Sequence, residues 1–223
     1  FDFNSSINSQ VLLEVCGLRC WHAFPSKLLR SQWNKALDDI SFSLYFGETL
    51  GIVGSSGCGK STLCRALMGL IPIRGGTIKW QGKNLFNQQG RIIKTTRKQI
   101  QMVFQDPLAC LNPKMRIWEI IADPLLIHKL FNRGQAKERS RELLNQVGLT
   151  PVEKFQNRFP QELSGGQQQR VVIARALALR PKVLICDESV SMLDSEIQGE
   201  ILNLLITLKR DLGLSILFIT HDL

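Results

Sequence analysis

The 223-residue sequence predicts an α/β fold: a parallel sheet carrying a phosphate-binding loop, an antiparallel β layer before it, and a helical segment inserted between two core strands. Three observations predict it. Short apolar runs alternate with longer helical patterns through most of the chain. The glycine-rich stretch GSSGCGKS, residues 54–61, joins one such run to a helical pattern. From Asp106 to Pro160 the strand signal is missing and two amphipathic patterns take its place.

Taken in order, LLEVCGL (12–18), ISFSLYF (40–46) and GGTIKWQG (75–82) alternate apolar and polar residues between turn signals. A period of two is that of half-exposed strands, so these three form the antiparallel layer. ETLGIVG (48–54), IQMVF (100–104), KVLICD (182–187) and LSILFIT (214–220) are near-continuous apolar runs. Such runs suit strands buried on both faces of a parallel sheet. The patterns near 116–130 and 135–147 read as the inserted helices, and VVIARALAL (171–179) as the most apolar helix, interrupted by Arg175. Between the last two strands, Ile197, Ile201, Leu204, Leu205, Leu208 and Leu212 fall at helical spacing and Gly213 closes the pattern.

Composition narrows the function classes. With 44% hydrophobic and 21% charged residues the chain has the means to build a core. No stretch approaches the roughly 18 to 20 apolar residues of a membrane span. The opening FDFNSSINSQ has neither a basic n-region nor an apolar h-region, so no signal peptide is expected. The six cysteines form no CxxC pair, which suits a reducing compartment; Cys16 and Cys20 read as packing residues rather than metal ligands. The net charge of +9 raises nucleic acid as a partner. However, the densest basic cluster, RIIKTTRK (91–98), has no interleaved aromatics, and reads as a solvated face or one near an anionic membrane. No nucleic-acid partner is expected.

The chemistry sits in a few motifs. In GSSGCGKS the stretch Gly54, Ser55, Ser56, Gly57, Cys58, Gly59 supplies backbone N–H groups that turn toward phosphate oxygens at a helix start. Lys60 then reaches the β- and γ-phosphates, the Ser61 hydroxyl is placed to hold Mg²⁺, and Thr62 follows at the helix start as a further nucleotide-binding residue. VLICDE adds Asp187 as a metal carboxylate at a strand end and Glu188 as the candidate general base. LSGGQQQR (163–170) is a second helix start suited to an anion: Ser164 and Gln167 have capping-box spacing, and Gly165 and Gly166 leave the first N–H groups open. By spacing alone, that stretch reads more readily as a plain capped helix.

With these motifs together, the sequence resembles the ATP-binding subunit of ABC transporters along essentially its whole length. GSSGCGKS is similar to the Walker A motif, VLICDE to Walker B and LSGGQQQR to the signature. QMVFQDP resembles the Q-loop with Gln105, SMLDSE the D-loop with Asp194, and ITHDL the switch region with His221. The resemblance implies an ABC cassette with a RecA-like P-loop core, an antiparallel β subdomain and a helical subdomain. On this chain those would be approximately 11–105 and 180–223 for the core with the β subdomain, and 106–179 for the helical subdomain, within one domain over 1–223. It also implies two cassettes paired head to tail, each signature gripping the ATP on its partner's Walker A. In that arrangement Gln105 and His221 join Glu188 as catalytic residues, Gln105 also joins Ser61 and Asp187 at the metal, and Asp194 lies at the nucleotide interface. An aromatic stacks on adenine in this family; Trp21 in LRCWHAF fits best, with His22 and Phe24 behind it.

LNP after the Q-loop, the EIIADPL segment and DESVSMLDSEIQGEILNLL resemble oligopeptide, dipeptide and nickel importers. That implies an ATP- and Mg²⁺-dependent ATPase on the cytoplasmic face of the membrane. Its implied partners are a second ATPase subunit, the same or homologous, two transmembrane permeases and, indirectly, an extracytoplasmic solute-binding protein. The alternative is a non-transport ABC ATPase acting on nucleic acid or the ribosome. Ser189, Cys110 and Met192 depart from the family's usual proline, serine and alanine, without removing a catalytic group. The chain ends two residues after His221, so the family's C-terminal extension is expected to be absent.

Overall fold

A computed structural model describes residues 8–24, 32–55, 57–87 and 90–220. Two sheets organise it. The antiparallel one has the order β2 (Gln32–Phe46), β1 (Asn8–Phe24), β4 (Gly75–Trp80) and β5 (Lys83–Asn84). The parallel one has the order β3 (Thr49–Val53), β8 (Ser215–Thr220), β7 (Val183–Asp187) and β6 (Ile100–Val103). Between them in sequence run α1 (Lys60–Leu67), α2 (Lys94–Arg97) and α3 (Pro107–Cys110). The helical insertion adds α4 (Ile117–Ile127), α5 (Arg133–Gln146), α6 (Val152–Phe155) and α7 (Gly165–Leu177), and α8 (Ser195–Leu212) links the last two core strands.

The parallel sheet divides two cores. Alternate residues of a strand point to opposite faces, and β7 shows the consequence. Leu184 and Cys186 join the core shared with α4, α5, α7 and α8, whereas Val183 and Ile185 join the core under α1 and the antiparallel sheet. On β8, Ile216 joins the former, and Leu217 and Ile219 the latter. Every residue of β7 is buried, as the apolar run Val183 to Cys186 predicts, and the burial extends to Asp187 at its end.

β3 departs from the expectation of burial on both faces. None of its residues is fully buried and Val53 is 46% exposed. The reason is position: β3 pairs with β8 alone and is an edge strand among the described residues, so the near-continuous apolar run reports a parallel sheet without reporting a central strand. Leu212 is a second departure. It follows the helical spacing of α8 but is 43% exposed, because the helix ends there at Gly213, whose left-handed φ of 64° turns the chain toward β8.

Because β3, β6, β7 and β8 are parallel, their C-terminal ends lie on one edge of the sheet. The loops after Val53, Val103 and Asp187, distant in sequence, therefore open side by side.

Candidate nucleotide site

At that edge, Gly54 leaves β3 and the chain turns into α1 at Lys60. Gly59 takes a φ of 102°, which side chains bearing a Cβ rarely adopt. A Cβ there would also strike the carbonyl oxygen of Ala36. The loop is thus seated directly on the antiparallel sheet, a contact that the motif's spacing does not announce. Gly54 is confined as well: a Cβ there would lie 2.7 Å from Cys58 Sγ.

Lys60 is 7% exposed, and its ammonium donates to the carbonyl oxygens of Gly54 (2.5 Å) and Ser55 (2.9 Å). It also lies 3.6 Å from Glu188 Oε1, with both side chains largely buried. Glu188 has the left-handed backbone of a non-glycine outlier, φ 44°. Its N–H donates to the Ile219 carbonyl (2.9 Å), and its own carbonyl accepts from Ser191 N (3.1 Å) and Ser191 Oγ (2.9 Å). This turn swings the carboxylate off the end of β7 toward the loop, and Gln105 Nε2 donates to its other oxygen at 3.0 Å. Strain of this kind, about 1–3 kcal/mol, is kept where surrounding contacts over-determine it.

Asp187 is 6% exposed. Burial pushes its carboxyl pKa up; a hydrogen bond from Ser61 opposes that, and the charge of Glu188 adds to it. Its Oδ1 has no hydrogen-bond partner among the described residues. An orphaned, buried carboxylate oxygen beside a hydroxyl is an all-oxygen donor set of the kind a hard divalent cation requires, so these residues fit Mg²⁺. Gly57, Cys58, Gly59, Lys60, Ser61, Thr62, Gln105 and Glu188 line one cavity of about 520 Å³ here, together with Lys35 and Ala36 of β2. The structure thus brings Walker A, Walker B and the Q-loop together. Ser56 and His221 lie outside the described residues, although the sequence puts His221 next after β8.

Trp21 sits on β1 opposite Lys35 in the antiparallel register, half-buried, with the Lys35 ammonium 5.4 Å from its ring centroid. Of the side chains of His22 and Phe24 nothing is described.

The LSGGQQQR stretch lies outside the lining of the Walker A cavity. Ser164 caps α7: its Oγ accepts from Gln167 N at 3.4 Å, and Gln167 Oε1 accepts from Ser164 N at 3.1 Å, so the capping box predicted from spacing is present. Ser164 and Gly165 are exposed. Gly166 is not free in the same sense, since a Cβ there would lie 2.6 Å from Ile197 Cγ2 on α8. Arg170 adds a second tie, donating to Val147 O and to Glu200 Oε2, each at 2.8 Å. Asp194 stands exposed at the N-cap of α8, with no capping hydrogen bond from its side chain. Among the described residues, none of Ser164, Gly165, Gly166, Gln167 and Asp194 lines the Walker A cavity.

Residues 37–191 match the ABC transporter family, a span of more than half the chain. The chain belongs to the ABC transporter family. Over 98% of its length it is 50% identical to the oligopeptide transport ATP-binding protein OppF of Haemophilus influenzae, covering 67% of that protein. It is 48% identical to the OppF of Escherichia coli over 96% of this chain and 65% of that one. The chain therefore spans about two thirds of the length of these relatives. Among solved structures, the ABC cassette MJ0796, described as a post-hydrolysis dimer bound to ADP and Pi, superposes with a TM-score of 0.79. That alignment covers 95% of this chain and 88% of the other at 28% identity. The fold is thus the ABC cassette expected from the motifs. Both OppF relatives are named as transport ATP-binding proteins. Among its described residues no helix is long and apolar enough to cross a membrane.

Proposed function

We propose that this chain is the ATP-hydrolysing subunit of an ABC importer that takes up peptides through partner permeases. The observation that carries it is the convergence of Lys60, Ser61, Gln105 and Glu188, drawn from three separate strand ends, on one cavity, with Asp187 hydrogen-bonded to Ser61 behind it.

The loop 54–62 wraps the β- and γ-phosphates with backbone N–H groups, and Lys60 exchanges its two loop carbonyls and Glu188 for phosphate oxygens. Ser61, Asp187 and Gln105 would hold Mg²⁺, which would supply neutralisation of the phosphate charge. With Lys60 drawn to the phosphates, Glu188 accepts a proton from the attacking water, with His221 at the γ-phosphate. Trp21 offers an indole face to adenine.

The signature Ser164, Gly165, Gly166 and Gln167 serves a second cassette, a reading supported by the exposure of Ser164 and Gly165 and by all four lying outside the lining of the chain's own cavity. An anionic triphosphate between two helix starts holds the halves together, and loss of its terminal phosphate releases them. Asp194, exposed at the start of α8, faces the same interface in this reading. Two permeases carry the solute and an extracytoplasmic binding protein delivers it, with the ATPase peripheral on the cytoplasmic face. Peptide is preferred over nickel because the relatives are named for oligopeptides.

The test is ATP binding and turnover by the assembled transporter, together with peptide uptake by cells lacking the subunit. Glu188→Gln should keep ATP binding, trap the paired state and lower turnover by a factor on the order of 10² to 10⁴. Undiminished hydrolysis would remove Glu188 as the base, and undiminished peptide uptake would remove the substrate assignment.

A further inference from the structure

The nucleotide cavity contains a second cation besides the Walker lysine. Lys35 lines it from β2, next to Ala36, whose carbonyl oxygen abuts Gly59. That contact ties Lys35 to the phosphate loop through a single residue of backbone. Its present partners hold it loosely. The ammonium rests 5.4 Å from the Trp21 ring centroid and 3.2 Å from Asp38 Oδ2, in a pair whose side chains are each about half exposed. Exposed pairs of both kinds are weak, whereas a polyphosphate offers several charged acceptors at once. The flexible lysine stem lets one ammonium exchange these partners for the others without moving the strand.

We propose that Lys35 is a phosphate-binding residue of the nucleotide site, and that it leaves Trp21 and Asp38 when a nucleoside di- or triphosphate enters. This rests on the nucleotide-binding reading above. One consequence is a division of labour on neighbouring strands. Trp21 reads the base, and by leaving its face Lys35 exposes that ring to adenine at the moment the phosphates arrive. Lys35 therefore favours ligands by their phosphate charge and gives adenosine alone no favourable contact.

Titration of the full chain with ADP by calorimetry, and with adenosine by ligand-observed NMR, separates these roles. Lys35→Met should weaken ADP about tenfold, the order expected for one charge-assisted contact at a half-exposed site. Adenosine binding should not weaken, since loss of the ammonium only uncovers the Trp21 face, and Lys35→Arg should keep most of the ADP affinity. Thermal melting of Lys35→Met should match the unaltered protein, since the side chain is exposed. Equal ADP affinity in the Lys35→Met variant overturns the proposal, as does an equal loss for ADP and adenosine. Absence of ADP binding by the unaltered protein overturns the nucleotide reading and this proposal together.

Discussion

Replacing Gly166 by alanine tests how the signature helix is seated. Gly166 is the second residue of α7, and a Cβ placed there lies 2.6 Å from Ile197 Cγ2. Carbon atoms in contact prefer about 3.5 to 4.0 Å, so roughly 1 Å must be taken up by Ile197 or by α8 itself. Overpacking of this size costs about 1–3 kcal/mol, against which alanine returns up to about 1 kcal/mol of helix propensity. The net expectation is a loss of about 1 kcal/mol, or about 2–4 °C in melting temperature for a chain of this size. Deleting the obstructing methyl in a Gly166→Ala, Ile197→Ala double variant should show coupling of about 1–2 kcal/mol relative to the two single variants. Calorimetric melting of the four proteins measures it. If the two substitutions proved additive, the packing argument would be wrong. ATPase activity of the assembled transporter should stay low in both proteins carrying Gly166→Ala, because the added methyl also crowds the N–H groups proposed to meet the partner's phosphate.

Three further outcomes are expected. Gly59→Ala imposes a Cβ at φ 102° against the Ala36 carbonyl, and should cost at least about 2 kcal/mol in melting experiments while also weakening ADP binding. Ser164→Ala removes a cap whose hydrogen bond is long at 3.4 Å. Its stability cost should therefore sit near the low end, about 0.5 kcal/mol, whereas turnover by the assembled transporter should fall much further. Trp21→Ala should weaken ATP by roughly tenfold to a hundredfold, the value of one base–aromatic stack, measured by calorimetry; unchanged affinity would move the adenine contact to another aromatic.

Much of this site could be read from sequence because its parts are local. Gly54 to Ser61, the Asp187–Glu188 pair and the Ser164–Gln167 box each fit within eight residues, where spacing fixes geometry. The first two lie on one edge because apolar runs of the parallel type put their C-terminal ends together; the Ser164–Gln167 box follows no strand and stays outside that cavity. What escaped depends on contacts between segments. Ala36 against Gly59, Ile197 against Gly166, and Lys35 facing Trp21 join residues on different elements, and no local pattern marks them. The Lys60–Glu188–Gln105 cluster belongs to the same class: each residue is recognisable in its own motif, but their mutual pairing requires the turn at Glu188. The edge position of β3 escaped for a related reason, because an apolar run reports its faces and not its neighbours. Leu212 kept the helical period but fell at the last residue of α8, where periodicity outlasts the packing surface.

The central claim is that one chain's signature completes another chain's phosphate site. A crystal structure of the Glu188→Gln protein, paired with its companion ATPase and bound to ATP, tests this most directly. The account predicts Ser164 Oγ and the Gly166 N–H at hydrogen-bonding distance, about 3 Å, from the γ-phosphate held by the opposite chain's loop. A γ-phosphate contacted by residues of its own chain alone, with Ser164 left facing solvent, would contradict it.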